Sequence, residues 1–176
     1  KYPLILTEKD LNFIENHDLI HSSCFSFLEE ELPKLSKLDP PVSYDFSKNY
    51  NDDYLNKVCS YIDYAFLSCG HLDEKETEQK LSQVIERGCK LAVGTRGVKG
   101  SILLYNNKFY YQKADKVEPL DTLGAGDSFI TTLLIEIIKS PNLTEEVIKG
   151  GLKKAAEFAS KTCLINGAFG YGKKIK

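Results

Sequence analysis

Short apolar runs, each followed by a helical pattern, recur along this chain, and that alternation restricts its fold more than any other feature. Asp18-Leu19-Ile20-His21-Ser22-Ser23-Cys24 reads as a buried strand. Ser26 and Glu29 then have capping-box spacing, with Leu28, Leu32 and Leu35 on one face of a following helix. Pro41–Phe46 is a second strand, and Leu55, Val58, Cys59 and Ile62 mark the next helix. Tyr64–Ser68 is a third strand. Asp73 and Glu76 cap a helix with Leu81, Val84 and Ile85 on its buried side, and Gly88 has the place of a C′ residue. Lys90–Thr95 is a fourth strand. Ser101–Tyr105 and Lys108–Gln112 flank Asn106-Asn107, a two-residue hairpin turn. Ile130, Leu133, Leu134, Ile137 and Ile138 form one apolar helix face, which ends at Pro141-Asn142. Thr144 caps a last helix through Val147, Ile148, Leu152, Ala155 and Ala159. Strand–helix alternation of this kind predicts an α/β fold, a mainly parallel sheet with helices on both faces. Ligands in such folds bind at the carboxyl ends of strands. No repeat, low-complexity tract or linker interrupts the pattern, so residues 1–176 read as a single domain.

Composition excludes several classes of function. The net charge of -2 comes from 23 basic and 25 acidic residues, which points to neither a nucleic-acid nor a membrane-surface partner. The nearest basic run, Lys173, Lys174 and Lys176, reads as a solvated tail. No apolar stretch approaches the roughly 20 residues of a membrane span. Cys24, Cys59, Cys69, Cys89 and Cys163 form no C-x-x-C pair and mostly fall in apolar runs, so they read as small buried hydrophobes of a reducing cytoplasm. His17, His21 and His71 lack zinc-ligand spacing. The sequence holds no methionine, at position 1 or elsewhere, and opens in what reads as the middle of an element, so it is expected to be part of a longer protein.

The chemistry concentrates in Asp121-Thr122-Leu123-Gly124-Ala125-Gly126-Asp127. Small residues ahead of an apolar helix leave backbone N–H groups uncovered, at the end of the helix that carries positive partial charge. Gly124, Ala125 and Gly126 can therefore form an anion site fit for a phosphoryl group. The plainer alternative is a tight turn into a helix, with glycine serving geometry alone. Asp127, in the first helical turn, adds a carboxylate that can accept the proton of an attacking hydroxyl. A dinucleotide fingerprint fails because Phe129 stands where a third glycine is needed, and no P-loop is present. Gly94-Thr95-Arg96-Gly97-Val98-Lys99-Gly100 lies at a strand end, where a phosphate chain could pass over bare backbone near Thr95, or where the chain simply turns into the hairpin. Gly167-Ala168-Phe169-Gly170-Tyr171-Gly172 is a further small-residue loop, either packed against a flat ligand or a tail.

With these residues in view, Asp121–Asp127 followed by Ser128-Phe129 resembles the D-T-x-G-A-G-D signature of the PfkB (ribokinase-like) carbohydrate kinases. Thr95–Gly100 resembles that family's T-x-G-x-x-G nucleotide loop, and Gly167–Gly170 its closing loop beside adenine and a monovalent cation. The likeness covers essentially the whole chain. It implies a three-layer ribokinase-like fold and transfer of the ATP γ-phosphate to a hydroxyl of a small-molecule sugar or sugar–amine adduct. It assigns Asp127 as base and Gly124, Ala125 and Gly126 as anion hole. Thr95, Gly97, Gly100, Ala168 and Gly170 become nucleotide contacts, while Asp121 and Thr122 help to hold a monovalent cation such as K⁺. ATP chemistry brings Mg²⁺. The family's N-x-x-E magnesium motif is replaced by Ser68-Cys69-Gly70-His71, with Asp73 and Glu74 beyond it. The family's first half, with its sugar-contacting Asp, Gly-Gly pair and lid, is expected to lie outside these residues. A homodimer of the full-length protein is compatible with the resemblance.

Overall fold

The computed structural model describes residues 4–171, so Gly172 and the basic residues Lys173, Lys174 and Lys176 lie outside the described residues. The chain taken above as one domain has its contacts grouped in two compact units. One comprises the residues up to Thr95 together with Ile102–Phe109. The other comprises Arg96–Ser101 and the residues from Tyr110 onward.

The first unit opens with α1 (Glu8–Ile14), capped by Thr7 and Asp10 in a reciprocal box. Strands β1 (Ile20–Ser23), β2 (Val42–Asp45), β3 (Tyr64–Ser68) and β4 (Leu91–Thr95) follow and pair in parallel, with Tyr44 opposite Ala65 and Ala65 opposite Ala92. β2, β3 and β4 are buried nearly end to end. That is the pattern of strands covered on both faces, and it explains why they read as continuous apolar runs. Strands β5 (Ser101–Tyr105) and β6 (Lys108–Gln112) extend the sheet, whose order follows the chain from β1 to β6. Asn106 and Asn107 both take left-handed φ (49° and 58°), as a two-residue hairpin turn requires. Residues 96–100 are too few for a parallel crossover, so β4 and β5 are also joined as a hairpin. The sheet is thus mixed, parallel over β1–β4, in the α/β class that the alternation predicts.

One expected helix is largely absent. Ser26 caps nothing, and the element there is only α2 (Leu32–Leu35), with Glu31 at its N-cap and no side-chain cap bond. Pro33 supplies the reason, because its missing N–H and its ring allow a helix only if it starts just ahead of it. Glu29, the expected capping partner, instead accepts hydrogen bonds from the Tyr54 and Tyr44 hydroxyls, and these two phenols are 2.8 Å apart. Burial pushes both phenols well above their usual range. The next helix, α3 (Asp52–Val58), is also shorter than read and passes into a 3₁₀ turn at Cys59–Tyr61.

Helix α4 (Glu74–Glu86) is capped by Asp73 and Glu76 as the sequence indicates, and Gly88 follows its end at φ 114°. It packs tightly on β4. A Cβ on Gly94 would stand 2.7 Å from Thr77 Cγ2 and 3.2 Å from Cys69 Sγ. Cys24, Cys59, Cys69 and Cys89 are buried and Cys163 half-buried, all as free thiols.

The second unit is built on two helices, α5 (Ala125–Ile138) and α6 (Glu145–Thr162), the latter capped by Thr144. Gly151 lets them approach closely, since a Cβ there would meet Leu133 Cδ1 at 3.1 Å. Ile130, Leu133, Leu134 and Ile137 are buried with Ile148, Leu152 and Ala155, whereas Ile138 is partly exposed. No helix among the described residues is long and apolar enough to cross a membrane.

The Gly94 packing is testable. Gly94→Ala introduces a methyl into filled space, and overpacking of this kind costs about 1–3 kcal/mol. The expected result is a lower denaturation midpoint. An unchanged midpoint would contradict the close α4–β4 contact.

Candidate functional site

The start of α5 differs from that of the other long helices. Thr7, Asn51, Asp73 and Thr144 each cap a helix with a side-chain oxygen. The N-cap of α5 is Gly124, which has no side chain to offer and sits in the left-handed region at φ 77°. Ala125 N–H donates to the Thr122 carbonyl at 3.2 Å, and the first helical bond runs from Ser128 N–H to the Gly124 carbonyl at 2.9 Å. Among the described residues the N–H groups of Gly126 and Asp127 have no acceptor. Two adjacent amides at the positive end of a helix dipole therefore face outward, as an anion site needs.

Two glycines of this turn are glycine for different reasons. A Cβ on Gly124 would fall 2.5 Å from Ala168 Cβ, so both backbone angle and close packing forbid a side chain. A Cβ on Gly126 would meet nothing within 4 Å. Among the described residues neither strain nor crowding requires glycine at 126, where it costs the helix up to about 1 kcal/mol relative to alanine.

Asp127 occupies the N3 position of α5 and is exposed. Asp10 and Glu76 hold the same position in α1 and α4, and each accepts its N-cap residue's N–H. Gly124, turned into the left-handed region, offers Asp127 no such bond. Among the described residues the Asp127 carboxylate accepts no hydrogen bond, and it stands beside the bare amides.

Asp121 has the opposite character. Its Oδ1 accepts Leu123 N–H at 3.0 Å and its Oδ2 accepts Gly167 N–H at 2.9 Å. These backbone bonds hold its carboxyl below the usual range. Leu120 N–H donates to the Cys163 carbonyl at 2.8 Å, and Ser128 Oγ lies 2.8 Å from Thr162 Oγ1. Together with the Gly124–Ala168 contact, these bonds tie residues 120–128 to residues 162–168. Thr122 is exposed and Gly170 takes φ 77°.

In the same unit Arg96–Gly100 forms a closed turn. Arg96 N–H donates to the Gly100 carbonyl at 2.7 Å, and Gly100 N–H to the Gly97 carbonyl at 2.9 Å. Gly97 (φ 57°) has open space around it. Gly100 (φ 90°) is dictated by the fold, because a Cβ there would collide with the Gln112 carbonyl at 2.0 Å. Val98 projects from the turn almost fully exposed, and Arg96 is buried. Thr95, at the end of β4 in the first unit, is half-buried, with its hydroxyl directed at the Leu67 carbonyl at 3.4 Å.

The stretch that stands in place of the N-x-x-E motif is engaged in structure. His71 Nε2 lies 3.3 Å from the Tyr50 hydroxyl, which donates to the Ser68 carbonyl, and Asp73 caps α4. Among the described residues no group of three or more His, Cys, Asp or Glu is arranged to hold a metal ion. Sequence reasoning missed Thr162. The available signal was its place in the α6 stripe, where it is the one polar member of the series Ile148, Leu152, Ala155, Ala159 and Thr162.

A family profile described as pfkB family carbohydrate kinase matches residues 55–166. Fructosamine kinase FrlD of Bacillus subtilis (strain 168) is 44% identical over 169 residues, covering 96% of this chain and 57% of its own length. Fructoselysine 6-kinase of Escherichia coli (strain K12) is 27% identical, covering 93% of this chain and 60% of its own. The chain therefore spans about three-fifths of the length of these relatives. Among solved structures, Arabidopsis thaliana ribokinase complexed with ribose and ATP superposes with a TM-score of 0.76 at 19% identity, covering 94% of this chain and 56% of that one.

The two glycines should respond in opposite directions. Gly124→Ala should destabilise, with about 1–2 kcal/mol from the left-handed backbone alone. Gly126→Ala should raise stability by up to about 1 kcal/mol. Thermal unfolding of both variants checks the pair, and a loss at 126 would show that the fold does need that glycine. Asp121 gives a pH signature. Its folded pKa lies below the ordinary carboxylate value of about 3.9, so its contribution is present above that value and is lost as pH falls through the folded one. Asp121→Asn should thus trail the wild type by a constant amount above about pH 5 and converge on it in acid. A gap unchanged down to pH 2 would remove the assigned role.

Proposed function

The chain belongs to the pfkB family of carbohydrate kinases, and from that premise we propose that it is the phosphoryl-transfer portion of an ATP-dependent kinase acting on a sugar–amine adduct of the fructosamine type. The observation that carries this reading is the start of α5, where two unpartnered amides adjoin a carboxylate that no capping bond consumes. The named relatives support the acceptor class. One is a fructosamine kinase and the other a fructoselysine 6-kinase. The 44% identity to the first makes fructosamines the leading acceptors, ahead of free fructose, a ketodeoxy-sugar acid or a nucleoside.

In this reading the γ-phosphate rests on the Gly124–Asp127 turn and receives hydrogen bonds from the Gly126 and Asp127 amides. The open space at Gly126 lets the phosphoryl oxygens come close to the backbone. Asp127 orients the acceptor hydroxyl toward phosphorus and takes its proton late in the transfer. An unperturbed aspartate is a weak base, so most of the acceleration comes from alignment and from stabilising the charge that spreads over the phosphoryl oxygens. Gly97 and the turn around it would take the rest of the triphosphate, with Gly100 shaping the turn; Thr95, at the end of β4, is a candidate hydroxyl contact from its own unit. Ala168 and Gly170 border the nucleotide.

Magnesium bound to the triphosphate supplies charge neutralisation. With no acidic metal cluster among the described residues, it would be held chiefly by phosphate oxygens and water. Asp121 suits a monovalent cation, since it is held in its anionic form and each carboxylate oxygen retains a lone pair beyond the N–H bond it accepts. Thr122 would join it. The free buried thiols accord with a cytoplasmic enzyme.

The test uses the full-length protein, ADP detection and a panel of fructosamines, fructose, ribose and nucleosides. Fructosamines should give the highest kcat/KM, and turnover of another acceptor with no fructosamine activity would overturn that assignment. Asp127→Asn should lower kcat by about 10²–10⁴-fold while calorimetric ATP affinity changes only a few-fold. Near-wild-type turnover in that variant would remove Asp127 as the base. ATP binding with no acceptor-dependent ADP release in the wild type would instead favour a nucleotide-binding module without catalysis.

A further inference from the structure

Thr162 is the residue that the apolar stripe of α6 does not explain. It is only 5% exposed. Its hydroxyl donates to the Phe158 carbonyl at 3.2 Å. A hydroxyl has one proton, so whenever Thr162 donates to Phe158 the 2.8 Å contact runs from Ser128 Oγ–H to Thr162 Oγ1. The result is a directed chain, Ser128 to Thr162 to Phe158, anchored on a completed turn of α6.

Ser128 immediately follows Asp127. We propose that Ser128 and Thr162 form a positioning pair, whose hydrogen bond fixes the rotation of the first turn of α5 and so aims the Asp127 carboxylate. The proposal rests on the reading of Asp127 as the base. The other ties to residues 162–168 act at Leu120, Asp121 and Gly124, before the helix proper, and fix where α5 begins. Among the described residues Ser128 makes the one side-chain hydrogen bond in the first turn of α5, and the buried Phe129 and Ile130 that follow it seat the rest of the helix. Neighbouring residues on an α-helix point about 100° apart, so the direction of Ser128 sets that of Asp127.

Magnitudes separate this role from a merely structural one. A helix is about 10–12 Å across, so a carboxylate near its rim moves by about 1 Å when the helix turns by about 10°. A misplacement of that size can cost about 10²-fold in rate. Losing one neutral hydrogen bond costs folding far less, so the kinetic loss should exceed what stability alone predicts.

The experiment is a set of variants in the full-length protein with its preferred acceptor. Thr162→Val removes the hydroxyl at nearly constant volume, whereas Thr162→Ser keeps it. We expect kcat to fall about tenfold or more in Thr162→Val with KM for ATP within about twofold of wild type, and Thr162→Ser to stay close to wild type. Ser128→Ala and the double variant Ser128→Ala/Thr162→Val should fall by the same factor as Thr162→Val, because one bond is lost in each. Unchanged kcat in Thr162→Val, an equal loss in Thr162→Ser, or additive losses in the double variant would each overturn the pairing. A wild type without turnover would refute the reading of Asp127 instead. Amide exchange at Ser128 and Phe129 then decides the pair on its own. Faster exchange in Thr162→Val than in Thr162→Ser supports it, and equal exchange overturns it.

Discussion

A helix start that leaves its amides bare for a ligand gives up its own cap, and something else must hold it. In this chain the replacement is the end of α6 and the loop after it. The Asp121 carboxylate bonds to Gly167, Leu120 to the Cys163 carbonyl, Ser128 to Thr162, and Gly124 packs on Ala168. Each is modest, about 1 kcal/mol for a typical hydrogen bond. Their value lies in geometry, because they meet the turn from one side and leave the other open. The N–H group that a Ser or Asp cap would consume remains available beside its neighbour, and so does the N3 carboxylate that a capping box would engage.

This explains why position matters more than residue type around the turn. Asp121 and Asp127 stand six residues apart in sequence and do opposite things. Asp121 accepts one backbone amide on each oxygen and acts as a staple. Asp127 accepts nothing from the described residues. Gly124 and Gly126 show the same division, one demanded by Ala168 and a left-handed backbone, the other by no neighbour among the described residues.

Much of this architecture was legible because it is local. Strands β2, β3 and β4 are buried on both faces and so appear as nearly unbroken apolar runs. Asp73 with Glu76, Thr144, and Asn106-Asn107 carry their caps and turn within a few residues. The misreading at Ser26 shows the limit of such signals. Its capping-box spacing was real, but Pro33 halted the helix and two distant tyrosines claimed Glu29. At the site, the signature residues could be listed from sequence, yet their division of labour could not. Which aspartate is a staple and which is free depends on Gly167, 46 residues from Asp121. Thr162 was hidden for the same reason, because its partner lies 34 residues away.

The path of the chain between its two units has a consequence for synthesis. Arg96–Ser101 groups with residues from Tyr110 onward, although it precedes β5 and β6 in the chain. The backbone atoms that crowd Gly100 come from residues 112–114, at and just past the end of β6. The turn is therefore made before the residues that pack against it, and at about 5–20 residues per second a nascent chain supplies them about 0.6–3 s later. The turn attributed to the nucleotide thus takes its packing only once the hairpin that follows it has been synthesised.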